Sequence, residues 1–154
     1  MKRPLLIILA ASTTAGLAAV AGSTPAAATD GGRPPLHFHV QFSPFSYLDL
    51  GAPGPSMGDQ ILAHDLLFDA AGHQVGHDGV ACTVTDPEGG PEAQCTGTFA
   101  LPGGQLATQF LNTPPAVKHF AVTGGTGAYR RARGEAVLVE HGDGTGDVTF
   151  YLTS

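Results

Sequence analysis

The chain has 154 residues, a formal net charge of −6, 22 glycines, 12 prolines and two cysteines. That length accommodates one domain, and the acidic balance argues against nucleic acid and anionic membrane as partners, since both recruit basic surface. The first 28 residues read as an export signal. Met1-Lys2-Arg3 is a positive start, Leu5–Val20 an apolar run, and Pro25-Ala26-Ala27-Ala28 a small-residue cleavage site. Ser12, Thr13, Thr14 and Gly16 interrupt the run, which makes it a poor membrane anchor. No Cys follows it to carry a lipid. A secreted, extracellular protein is therefore expected, with residues 29–154 as a single domain. Those 126 residues carry a charge of −8, because Lys2 and Arg3 leave with the signal and no acid does.

Glycine and proline make up 30 of the 126 and fall in short clusters, a punctuation that suits many strands better than long helices. Leu36–Phe42 alternates apolar and polar residues with period two and predicts the first strand. Ser43–Gly58, rich in Pro, Gly and Ser, is the longest irregular connection. Gln60–Asp69 predicts a second strand, apolar on both faces, turned by Ala70–His73. Val75–Thr85 and Gln94–Leu101 follow as a hairpin. Pro102-Gly103-Gly104 turns into Gln105–Leu111, and Asn112–Pro115 leads to Val117–Thr123. Gly124–Gly127 opens a segment of helical character at Ala128–Ala132. Gly134–Glu140, the turn His141–Gly146 and Asp147–Thr153 complete the chain. Eight short-linked strands predict an all-β fold, an eight-stranded antiparallel closed β-barrel. Such a barrel is either filled by side chains or holds one small ligand.

Cys82 and Cys95 read as one disulfide across the Val75–Leu101 hairpin, since an even cysteine count in an oxidising compartment pairs. Neither cysteine has the second Cys/His pair at short spacing that a zinc site needs. His37 and His39 lie on one face of the first strand, as metal ligands often do. His64, Asp65, His119 and His141 are all available as a third ligand, but no spacing singles one out. Solvent-facing or hydrogen-bonded histidines are the expectation, with no metal and no cofactor. Val122–Gly127 looks like a dinucleotide-binding turn, but Arg130 stands where its third glycine belongs, and too little chain follows for the βαβ unit. Gly54-Pro55-Ser56-Met57-Gly58 matches the G-x-S-x-G pattern, yet lies in a loop leading into a strand rather than in a strand-to-helix turn. Arg130, Arg131 and Arg133 hold three of the five basic residues after the signal, and read as an ion-paired or solvated loop.

Met57-Gly58-Asp59, Val75-Gly76, Cys82, Phe120–Tyr129, Gly134 and Phe150-Tyr151-Leu152 together resemble the allene oxide cyclase family. The segment Gly124–Gly134, with its G-T-G-x-Y-R-x-A-R-G form, is equally similar to the dirigent proteins. The resemblance spans residues 36–153. It implies an eight-stranded antiparallel barrel with a hydrophobic cavity that holds a reactive apolar molecule in a productive conformer. Cyclases of this family place a Glu on the first strand, and dirigent proteins an Asp; here Leu36–Phe42 contains no acid, and His39 or Gln41 occupies that region. A water-binding Asn of the second strand corresponds to Asp65, and an interior Cys to Cys82.

Asp65, His39 and Gln41 are therefore the candidate catalytic residues. A carboxylate inside an apolar barrel has its pKa raised by desolvation and serves as general acid or base. His39 could polarise a substrate oxygen. The alternative for Asp65 is a structural cap between neighbouring strands. Three functions stay open: a cyclase or isomerase acting on an apolar small molecule, a non-catalytic lipocalin-like carrier of a hydrophobic ligand, and a filled barrel that works through its outer surface. Leu62, Leu66 and Phe68 alternate with Ala63, Asp65 and Leu67, and two apolar faces on one strand suggest a homo-oligomer or cover by the N-terminal stretch.

Overall fold

The computed structural model describes residues 33–88 and 92–153. The expected signal, residues 1–28, lies outside them. Ten strand segments form one antiparallel sheet: β1 (Leu36–Gln41), β2 (Ser46–Leu48), β3 (Gln60–Ala63), β4 (Leu66–Phe68), β5 (Gln74–Asp86), β6 (Glu92–Leu101), β7 (Gly104–Asn112), β8 (Val117–Gly125), β9 (Arg133–Glu140) and β10 (Thr145–Thr153). β1 and β2 are consecutive pieces of one broken strand, because β1 pairs with β4 and β2 with β3. β3 and β4 are likewise two pieces of one strand, both paired with β5. Each later strand pairs with the next, and β10 returns to β1. The result is a closed eight-stranded up-and-down barrel, as the sequence predicts. Closure leaves every long strand with a neighbour on both sides and so removes exposed edges.

Two details differ from the sequence expectation. The irregular Ser43–Gly58 stretch contains β2, whose Ser46–Leu48 lie opposite Leu62–Gln60. The expected helical segment at Ala128–Ala132 is one 3-10 turn, Gly127–Tyr129. Among the described residues no helix is long and apolar enough to cross a membrane.

Period-two alternation sends one face of each strand into the barrel. In β10 Val148, Phe150 and Leu152 are buried, and in β6 Ala93, Cys95, Phe99 and Leu101. Leu67, Leu101, Leu106, Val122, Tyr129, Ala132, Phe150 and Leu152 belong to one continuous apolar cluster. The turn at Gly124–Tyr129 closes this end of the barrel. A Cβ at Gly125 would collide with the Gln105 carbonyl, and one at Gly127 (φ +56°) with the Gly103 carbonyl. Only glycine tolerates both that close approach and that backbone angle. Tyr129 tucks in beneath, its hydroxyl donating to the Pro102 carbonyl at 3.1 Å. The glycine-rich segment is thus a packed lid on one barrel end rather than a phosphate cradle. Arg130, Arg131 and Arg133 stand exposed beside it.

Candidate functional site

The opposite end of the barrel is hollow. A cavity of about 490 Å³ opens between the β1–β2 break and the loops that follow β7 and β9. Val40, Phe99, Phe120 and Val148 line it where it meets the apolar cluster, and Phe42, Phe45, Ile61, Phe110 and Leu138 are among its walls. Phe110 stacks on Phe120 with ring centroids 4.1 Å apart. The volume lies within the range of small-molecule sites. A cavity of this size overturns the filled-barrel alternative: the inward side chains near this end leave space, whereas those at the glycine end do not.

Four ionisable side chains interrupt the apolar lining: Asp65, Asp78, Lys118 and Glu140. Asp65 and Asp78 form a cross-strand pair. The register running from Ala63 opposite Val80 to Leu66 opposite His77 sets Asp65 opposite Asp78. The Asp78 N–H donates to the Asp65 carbonyl at 2.9 Å, while the Asp65 N–H donates to Asp78 Oδ1 at 3.2 Å. The strand break between β3 and β4 therefore coincides with a side chain standing in for a backbone partner. Asp65 Oδ1 also accepts the Ser43 N–H at 2.8 Å, so Asp65 pins the break in the first strand and faces the cavity at once.

Both carboxyls are buried, at 6% exposure for Asp65 and 3% for Asp78. Burial pushes the Asp78 carboxyl up to about 7, and the neighbouring Asp65 charge adds to this; the Asp65 N–H opposes it. Burial also raises the Asp65 carboxyl, against the Ser43 N–H and the charge of His64. Two carboxyls in one apolar wall resist simultaneous ionisation, and one then holds a proton near neutral pH. On the other wall Lys118 donates to the carbonyls of Thr113 and, at 2.6 Å, Pro115, with Glu140 Oε1 3.9 Å away. This ties the β7–β8 loop across the mouth.

The three sequence candidates are separated by the barrel wall. Asp65 lines the cavity, whereas His39 and Gln41 are exposed on the outer face of β1. The place given to them in the pocket needs correcting: in β1 it is Val40 that points inward, and period-two alternation sends its neighbours out. They occupy the stretch where the resemblance places a first-strand acid, but neither is an acid and both point away from the cavity. Asp78 and Lys118 were missed, although the same alternation exposes them. Asp78 shares a face with Cys82 and Val84, and Lys118 with Phe120 and Val122.

Cys82 and Cys95 are directly opposite in β5 and β6 and form a disulfide, as expected, with Cα atoms 4.0 Å apart. Ser56 of the G-x-S-x-G pattern serves the loop. Its N–H and hydroxyl donate to the Asp59 carboxylate at 2.7 and 3.1 Å, together with the Tyr47 hydroxyl at 2.5 Å and the Leu50 N–H at 2.9 Å. These donors hold the fully buried Asp59 carboxyl down at about 2, the Tyr47 bond foremost, and the same bond drives the Tyr47 hydroxyl up to about 12. Residues able to hold a metal lie on the outer surface instead, where His37, His39 and Asp147 bring ligand atoms within 4.8 Å of one another.

A closed barrel, packed at one end and hollow at the other, defines a cavity-bearing β-barrel of the kind that receives one small molecule. A pyocyanin demethylase structure is 30% identical and superposes with a TM-score of 0.70, covering 78% of this chain and 100% of its own. The pterocarpan synthase dirigent protein GePTS1 is 21% identical at a TM-score of 0.60, covering 84% of this chain and 92% of its own. The Diels Alderase AbmU from Streptomyces koyangensis is 13% identical at a TM-score of 0.62, covering 78% and 64%. No family model and no curated protein matches the chain by sequence. The chain belongs to the same family of closed β-barrels as the pyocyanin demethylase and shares the barrel fold of the dirigent protein and the Diels Alderase, the dirigent- and cyclase-like barrel that its sequence resembles.

Proposed function

We propose that this protein is an exported barrel that binds one apolar, flat small molecule in its cavity and steers its cyclisation or isomerisation by proton transfer from the Asp65–Asp78 pair. The observation that carries this reading is the buried carboxyl pair in the wall of a largely apolar, aromatic-lined cavity. Holding a flexible substrate in one reactive conformer, away from water, supplies most of the rate in such chemistry. A carboxyl whose proton equilibrium lies near 7 gives and takes protons at neutral pH with little driving force lost. Asp78 acts as the acid, and Asp65, anchored by the Ser43 N–H, holds the complementary negative charge. Phe99, Phe110 and Phe120 offer a ring system an aromatic wall to lie against, and the neighbour at 30% identity is named for pyocyanin. Export suits the Cys82–Cys95 bond, which persists in oxidising compartments.

The second reading is a carrier that uses the same cavity without chemistry, and Lys118 favours it. Its ammonium is tied to two loop carbonyls across the mouth, a feature that retains a ligand rather than transforms it. Native mass spectrometry of protein secreted by its own host identifies the bound molecule. Incubating that molecule and its chemical precursors with the parent, Asp65→Asn and Asp78→Asn then separates the readings. Retained binding with lost turnover in both variants is the expected result. Binding without turnover by the parent leaves the carrier, and no cavity-bound molecule at all refutes both.

A further inference from the structure

We propose that His37, His39, His141 and Asp147 form a divalent-metal site of the zinc class on the outer face of the barrel, separate from the cavity. β1 and β10 are paired so that His37 lies opposite Thr149 and His39 opposite Asp147. Both imidazoles and the carboxylate therefore project outward from adjacent strands at one height of the barrel. His39 Nδ1 lies 2.5 Å from Asp147 Oδ1, and His37 Nε2 lies 3.6 Å from the same oxygen. His141 arrives from the β9–β10 turn and sets its Nε2 3.1 Å from Asp147 Oδ2. Three imidazoles thus converge on one half-exposed carboxylate.

The neighbours of these rings are arranged as they are around bound metals. A ligating histidine donates its far ring N–H to an acceptor that fixes its tautomer and aims its other nitrogen at the ion. His37 Nδ1 lies 3.0 Å from Thr149 Oγ1, and His141 Nδ1 lies 3.1 Å from Thr145 Oγ1. The Thr145 hydroxyl gives its own proton to Asp143 Oδ1 at 2.6 Å, so toward His141 it accepts. That places a proton on His141 Nδ1 and aims Nε2 at Asp147 Oδ2 across 3.1 Å, a gap that a proton bridges in the free protein and that a metal ion takes over on binding.

The chemistry of the donors selects the ion. Imidazole nitrogens with one carboxylate suit zinc and its late first-row neighbours rather than magnesium or calcium, which prefer oxygen shells. A tetrahedral ion with bonds of about 2.0–2.1 Å places its donors about 3.3 Å apart. The 3.6 Å separation of His37 Nε2 from Asp147 Oδ1 is close to that spacing, and His39 needs to open by about 1 Å. His141, which meets the other carboxylate oxygen and lies outside the three residues whose donors fall within 4.8 Å of one another, swings in as the fourth ligand. The thiols do not compete, being joined to each other.

The test is calorimetric titration of Zn²⁺ into tag-free, disulfide-intact protein at pH 7.5, with Co²⁺ absorption as a second readout of tetrahedral ligation. The parent takes up one ion per chain with micromolar or tighter affinity. His37→Gln and Asp147→Asn each weaken uptake at least tenfold. Thr145→Val, which removes no ligand, weakens it by about 10-fold through loss of the ring's orienting acceptor. His119→Gln, on the outer face of another strand, leaves it unchanged. All four side chains are exposed or nearly so, and unchanged circular dichroism and melting in chelator show that the variants are folded. Failure of the parent to bind zinc at about 100 µM overturns the proposal, since micromolar affinity saturates there. So does stoichiometric binding that survives both His37→Gln and Asp147→Asn.

Discussion

Asp78→Asn isolates the energetic cost of keeping a carboxyl in the cavity wall. The substitution keeps an oxygen able to accept the Asp65 N–H and removes only the capacity to ionise. In the unfolded chain this carboxyl gives up its proton near its ordinary value of 3.8; in the fold, burial first and the Asp65 charge second hold the proton until about pH 7. Between those values the native state binds a proton that the unfolded state does not. Stability therefore falls as pH rises from about 4 to about 7 and changes no further above that. The interval corresponds to as much as about 4 kcal/mol at pH 8. The Asn variant escapes this loss. At pH 8 it is expected to exceed the parent by up to that amount, melting about 15 °C higher for a domain of this size, with the gap closing toward pH 4. Calorimetric melting of both proteins across pH 4–8.5 measures it. Parallel curves, offset by the same amount at every pH, would show that the fold does not raise the Asp78 carboxyl above its ordinary range and would sink its role as an acid.

Two further outcomes follow from the covalent and polar ties of the fold. Reducing the Cys82–Cys95 bond, whose partners are 13 residues apart, or replacing both with Ala, should cost about 3 kcal/mol in urea unfolding; a midpoint indifferent to reductant contradicts the cross-link. Asp59→Ala deprives Tyr47, Leu50 and Ser56 of their common acceptor, so amide exchange at Leu50 and Ser56 should quicken while β6 and β10 stay protected. Because these bonds hold the Asp59 carboxyl down at about 2, its contribution in the parent is complete above 3.8 and disappears as pH falls through 2. Unaltered loop exchange in the variant, or at pH 2, refutes the hub.

The barrel was legible because its strands are short, punctuated and regular in their alternation. Leu36–Phe42 and Asp147–Thr153 each declare one inward and one outward face, and glycine-rich turns mark their ends. The disulfide was legible for a related reason: two cysteines at hairpin spacing have one plausible partner each. β2 was hidden because three residues in a Pro-rich loop carry no periodic signal, and their pairing with β3, like the Tyr47 bond to Asp59, exists only in the folded loop.

The site divides the same way. Asp65 could be picked out as an acid on an otherwise apolar strand, but its pairing with Asp78 requires the register between β4 and β5. That register is set by hydrogen bonds summed over the whole ladder, not by any residue near Asp65. Likewise, His37 and His39 announce a shared face from their spacing alone, whereas Asp147 and His141 join them only through strand closure between the first and last strands. Sequence by itself determined the long strands, their alternating faces and the chain's acidic, glycine-rich character, all of which are local properties. Only the tertiary structure decided which end of the barrel is packed and which is hollow, since the volume left inside depends on side chains from all eight strands together.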